Sequence, residues 1–157
     1  MMLWLARHGE AINSEQWNSD FDRPLSELGR SQVSQWTRWL LKRERAPELI
    51  LHSPLVRTQQ TAETIATEIG STVVVMNEPL LAPGIDTGRL LQRLGNSGMS
   101  RIACIAHQPD VSHCLGELIG GGQHLFSPGT VAGIEFDCGF RRGAGSLRWM
   151  LCPAWFE

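Results

Sequence analysis

Lysine is all but missing from this chain: Lys42 is the only one among 14 basic residues, in a sequence of 157 residues with a formal net charge of −2. With no basic excess and no basic stripe, the footprint of a nucleic-acid-binding protein is absent. Long apolar runs are missing too. Only six residues precede Arg7, too few for a signal-peptide core, and no window approaches a membrane span, which points to the cytoplasm. The four cysteines, Cys104, Cys114, Cys138 and Cys152, form no C-x-x-C pair and no zinc-type spacing with histidine. Free thiols in a reducing compartment follow, with Cys104 and Cys114 packing as small hydrophobes. No repeat, linker or low-complexity segment interrupts the chain, and its length suits one domain, 1–157, large enough to need neither metal nor disulfide. The basic residue that is present, arginine, carries a planar fork matched to phosphate and carboxylate oxygens.

Several apolar runs end in chemistry. Leu3-Trp4-Leu5-Ala6 stops at Arg7-His8-Gly9-Glu10, and Ile102-Ala103-Cys104-Ile105-Ala106 stops at His107. Each reads as a strand covered on both faces. Further strands are predicted at 49–51 and 73–76, and two more, 131–136 and 146–151, form a hairpin at the end of the sheet. Between them lie helical patterns: one over 26–44 with Ser26 as N-cap, one from Arg57 to Gly70, a short one over 87–94 and one over 110–119. Trp36 and Trp39 are expected to pack between helix and sheet, as are Trp155 and Phe156 near the C-terminus. Residues 11–22 are polar and read as a loop over the mouth of whatever site His8 lines. The alternation predicts an α/β fold, a mostly parallel sheet with helices on both faces and a C-terminal strand pair.

Such a sheet brings Arg7, His8, Arg57 and His107 to one rim. Two arginines and two histidines around a point make a pocket for a dianion. The guanidiniums supply forked donors and one imidazole serves as nucleophile, with no metal or cofactor required. The segments Arg7-His8-Gly9-Glu10, Arg23-Pro24-Leu25-Ser26 to Gly29, Ser53-Pro54-Leu55 with Arg57-Thr58, Gln60-Thr61-Ala62, and Ala106-His107-Gln108-Pro109 resemble, in order and spacing, the histidine phosphatase (phosphoglycerate mutase-like) superfamily. The short length and Pro83-Gly84-Ile85-Asp86 are similar to its SixA-type branch of phosphohistidine phosphatases. The resemblance implies a three-layer α/β/α sandwich, His8 as the residue that becomes phosphorylated, and Arg7, Arg57 and His107 as the groups that bind the phosphoryl. Gly9 would turn the backbone beneath His8 and orient its ring. Ala106 departs from the pattern, since much of the family has glycine there.

The general acid is open between Glu78 and Asp86, each of which also reads as a solvated loop charge or a helix cap. The SixA-like branch is expected to manage without a strong acid, because imidazole leaves far more easily than an alkoxide. The implied partner is a phosphohistidine-bearing protein, such as a histidine phosphotransfer domain, met by a monomer without nucleic acid or membrane. Two other readings stand beside it. One is a phosphomonoesterase of small metabolites, using Glu78 and closing 11–22 over its substrate. The other is a phosphate-binding module without turnover.

Overall fold

The opening apolar run becomes β1 (Met2–Arg7) at an interior position of a six-stranded sheet in a computed structural model that describes residues 1–156. Its partner β4 (Arg101–Ala106) lies parallel beside it, with Leu5 opposite Cys104 and Arg7 opposite Ala106. Both strands are buried on both faces, as their unbroken apolar sequences require. β2 (Leu49–His52) pairs with the other side of β4, and β3 (Val74–Asn77) forms the parallel edge. On the opposite flank β5 (Val131–Phe136) runs antiparallel to β1 and is followed by β6 (Gly145–Leu151). The order is therefore β3-β2-β4-β1-β5-β6.

The two-residue period of the strands divides the core. Trp4, Ala6, Ile50, Ala103 and Ile105 point to α1 (Glu27–Leu41) and α2 (Val56–Ile69), which contribute Val33, Trp36, Leu40, Ala62 and Ile65. Leu3, Leu5, Leu51, Ile102 and Cys104 face α3 (Thr87–Gly95) and α4 (Asp110–Ile119), with Leu90, Leu94, Val111 and Leu115. α1 begins where Ser26 caps it, the Ser26 hydroxyl accepting from the Gly29 N–H at 3.0 Å. No helix among the described residues is long and apolar enough to cross a membrane.

The chain leaves β1 for α1 on one face and leaves neighbouring β4 for α4 on the other. That divergence opens a crevice at the carboxyl ends of the two strands, where ligands bind in open α/β sheets. It puts His8 and His107 at one place.

Three expectations need correction. α1 ends at Leu41 rather than near 44, because the N–H groups of Arg43 and Glu44 both turn back to the Leu40 carbonyl, at 2.8 and 2.7 Å. Trp39 does not pack on the sheet; it is 37% exposed, with the Arg43 guanidinium 3.8 Å above its ring and Phe156 edge-on at 6.0 Å. Trp155 is 72% exposed, while Phe156 packs against the core.

Candidate active site

His8 follows the last residue of β1, and its backbone N–H still bonds the Ala106 carbonyl of β4 at 3.1 Å. The ring is buried, and its Nδ1 lies 2.7 Å from the Gly9 carbonyl oxygen. A carbonyl can only accept, so Nδ1 carries the proton and Nε2 carries the lone pair. Arg57 agrees with this tautomer, since its Nε–H donates to His8 Nε2 at 3.3 Å. Burial first, opposed by the Gly9 carbonyl and reinforced by Arg57, His107 and Arg7, lowers the His8 pKa to about 3. The imidazole is neutral at physiological pH, as a nucleophile must be.

Gly9 does not adopt a left-handed conformation; close packing favours glycine there. A Cβ there would lie 3.1 Å from both the Gly29 carbonyl oxygen and Val33 Cγ2 of α1. Gly29 is tighter still, since a Cβ on it would collide with the backbone of Glu10. The Gly9 N–H donates to Thr61 Oγ1 at 3.0 Å, which ties the turn after β1 to α2 as well.

Arg57, in the first turn of α2, is 5% exposed and stands where a helix N-terminus already favours anions. Its Nη1 and Nη2 donate to the carbonyl and carboxylate of Asp20, at 2.6 and 3.1 Å. Arg7, the end of β1, donates from Nη1 to the Phe126 carbonyl at 2.8 Å, while its Nε is buried without a protein partner. Burial lowers the pKa of both arginines, with the charge of Arg57 adding to the effect at Arg7 and Asp20 opposing it at Arg57.

His107 follows β4, its ring centroid 5.4 Å from that of His8. Its Nε2 is 2.6 Å from Ser53 Oγ, which in turn contacts Thr58 Oγ1 at 2.9 Å. Its Nδ1 is buried and has no protein partner. Burial, followed by the charge of Arg57, lowers the His107 pKa to about 4. Two neutral imidazoles and two guanidiniums thus converge, with Arg7 Nε and His107 Nδ1 both shielded from water and unpaired.

The two candidate acids are otherwise employed. Glu78 is buried at the end of β3, accepts from the Leu80 N–H at 3.2 Å as cap of a short turn, and pairs with Arg93 at 2.8 Å. Asp86 caps α3 by accepting from the Arg89 N–H at 3.1 Å. Among the described residues no hydrogen bond or ion pair joins either carboxylate to Arg7, His8, Arg57 or His107.

The profile of the histidine phosphatase superfamily (branch 1) matches residues 3–80. Over 159 aligned positions, covering 98% of this chain and 94% of the relative, the chain is 30% identical to the phosphohistidine phosphatase SixA of Escherichia coli (strain K12). The chain belongs to the histidine phosphatase superfamily. Its fold superposes on the structure of the protein histidine phosphatase SixA complexed with tungstate, with a TM-score of 0.87 and 28% identity over 100% of both chains. A mycobacterial glucosyl-3-phosphoglycerate phosphatase shares the fold at a TM-score of 0.69 and 19% identity, over 94% of this chain and 96% of that one.

Four contributors to this histidine phosphatase site escaped the sequence reading: Asp20, Ser53, Thr61 and the Phe126 carbonyl. Ser53 and Thr61 lie inside the recognised motif around Arg57, so their proximity to it was a usable signal. Asp20 sits in a polar stretch whose composition says only that it is a loop, and a backbone carbonyl leaves no mark on sequence.

Proposed function

We propose that this histidine phosphatase removes the phosphoryl group from a phosphohistidine-bearing protein by way of a covalent intermediate on His8. The observation that carries the reading is the fixed tautomer of His8, Nδ1–H on the Gly9 carbonyl and Nε2 toward Arg57. The Nε2 lone pair attacks phosphorus, the P–N bond to the substrate ring breaks, and its electron pair stays on that nitrogen. A substrate ring protonated on its other nitrogen leaves as neutral imidazole. His8 is then in the same state, its proton kept on Nδ1 and donated in a hydrogen bond to the Gly9 carbonyl. Water attacks phosphorus, the P–Nε2 bond breaks, and His8 also leaves as neutral imidazole with dihydrogen phosphate as product.

In both steps the leaving group is a neutral imidazole, so neither step needs an acid. This accords with Glu78 and Asp86 serving as caps. An alkoxide leaving group would instead depend on an acid for about 10²–10⁴-fold in rate. Arg7, Arg57 and His107 bind the equatorial oxygens, His107 through Nδ1–H when Ser53 donates to its Nε2. The connection from β3 to β4 contains only the turn at Pro79–Leu81 and α3, which supports access by a side chain still attached to a protein. Trp17 and Phe21, 44% and 51% exposed in the loop that carries Asp20, offer such a partner apolar surface. The reading takes 1–157 as one domain, working as a monomer. The cysteine spacing, with no C-x-x-C pair, supports a reducing compartment, the cytoplasm.

A panel comparing a phosphohistidine protein with sugar and nucleotide phosphates tests the proposal. Efficient release from the protein, with acid-labile label trapped on His8, is expected. Good turnover of the small esters with the phosphoprotein untouched would overturn it in favour of the metabolite phosphatase.

A further inference from the structure

Arg57 is held from its solvent side by a residue outside the Arg7, His8, Arg57 and His107 set. A guanidinium presents its five N–H groups as two forks, an end fork on Nη1 and Nη2 and a side fork on Nε and Nη2. Asp20 fills the end fork with two of its acceptors, the backbone carbonyl on Nη1 at 2.6 Å and carboxylate Oδ2 on Nη2 at 3.1 Å. The side fork is the one turned to the nucleophile, Nε lying 3.3 Å from His8 Nε2. Asp20 is itself braced. Its other carboxylate oxygen, Oδ1, takes Arg23 Nε and Nη2, at 3.1 and 3.0 Å, and Arg23 Nη1 reaches the Ile12 carbonyl at 3.1 Å. Partial burial raises the Asp20 pKa, but hydrogen bonds from Arg23 and the charge of Arg57 outweigh it and hold the carboxyl below its ordinary value.

We propose that Asp20 is a positioning residue for phosphoryl transfer: by occupying the end fork of Arg57 it keeps the side fork aimed at His8 Nε2 and at the phosphoryl oxygens that arrive there. Arg23 acts one step further out, fixing the carboxylate that fixes Arg57. The geometry also suggests the contrary role, in which an anionic Asp20 competes with phosphate for Arg57. The two roles predict effects of opposite sign. A brace makes its contribution where charge and geometry are most demanding, in the pentacoordinate transition state, and little in ground-state binding. A competitor weakens ground-state anion binding, and its removal strengthens it.

The inference rests on the reading that His8 and Arg57 act on a phosphoryl group. Failure of the wild-type protein to release phosphate from a phosphohistidine protein would strike that reading alone. The brace is tested with the full chain by vanadate, which mimics the pentacoordinate phosphoryl, against inorganic phosphate, which mimics the ground state. For Asp20→Ala we expect vanadate affinity to fall about 10–100-fold, inorganic phosphate affinity to change by less than about threefold, and kcat to fall with vanadate affinity while KM holds. Asp20→Asn, which keeps the backbone carbonyl and one side-chain oxygen for Arg57 but turns a donor amide toward Arg23, should recover part of the loss and serves as the second variant if Asp20→Ala folds poorly. Arg23→Gln should shift the same quantities in the same direction by less. Tighter phosphate binding with kcat unchanged or raised, or vanadate affinity and kcat both at wild-type level, would overturn the proposal.

Discussion

The ends of β1 and β4 are built alike and work differently. Each is a buried apolar strand that runs through alanine to a histidine, and the strands lie in parallel register with Arg7 opposite Ala106. At β1 the ring hangs by Nδ1 from its neighbour's carbonyl at 2.7 Å, leaving the lone pair of Nε2 toward the site. At β4 the ring is caught by Nε2, through Ser53 Oγ at 2.6 Å, leaving Nδ1. In the proposed mechanism one histidine is tethered to attack and the other to donate. On that reading the choice of which nitrogen is tethered, rather than the residue type, divides nucleophile from phosphoryl-binding group.

Removing the two rings should break the comparison most visibly. His8→Ala is expected to abolish turnover and acid-labile labelling together, whereas His107→Ala should lower kcat by about 10²–10³-fold and still accumulate label on His8. Equal loss of label in both variants would mean the strand ends are not differentiated. Freeing the second tether is a milder perturbation: Ser53→Ala should lower kcat by about tenfold with His8 labelling retained.

The comparison also has a pH signature. Below the ordinary histidine pKa of about 6.5, the unfolded chain takes up protons that buried His8 and His107 refuse until about pH 3 and about pH 4. The unfolded state therefore binds more protons in that window, and stability falls as pH drops from about 6.5 toward 4. Urea denaturation of wild type and His8→Ala across this range should show the variant losing less. The smallest effect belongs to the acid that neither strand end needs. Glu78→Gln should leave turnover of a phosphohistidine protein within about threefold, below the 10²–10⁴-fold of a working acid, and lower stability by about 1 kcal/mol through its bond to Arg93.

Much of this architecture was legible in the sequence because its signals are local. The apolar runs before Arg7 and His107 mark buried parallel strands, Ser26 marks the start of α1, and Gly70 and Gly120 follow the ends of α2 and α4. What was not legible depends on groups distant in sequence. Trp39 has the periodicity of a packed residue, yet it faces the rim where Arg43 and Phe156 meet it. Asp20 acquires its meaning only because the 11–22 loop returns across Arg57, a contact 37 residues away. Glu78 and Asp86 have the composition of catalytic acids and the hydrogen bonds of caps, and only the latter are decided by geometry.

The anchoring of His8 also bears on when the site of this phosphatase is assembled. β1 is synthesised well before its partners, β4, beginning at Arg101, and β5, beginning at Val131. Arg7 is held by the Phe126 carbonyl, and the His8 carbonyl accepts the Gly129 N–H at 2.8 Å. β1 therefore waits for segments about a hundred residues later before it has anything to pair with, a topology of the kind that folds slowly. A nascent chain carrying the Arg7-His8-Gly9 segment alone has no assembled pocket, which forms only when β4 and β5 have docked.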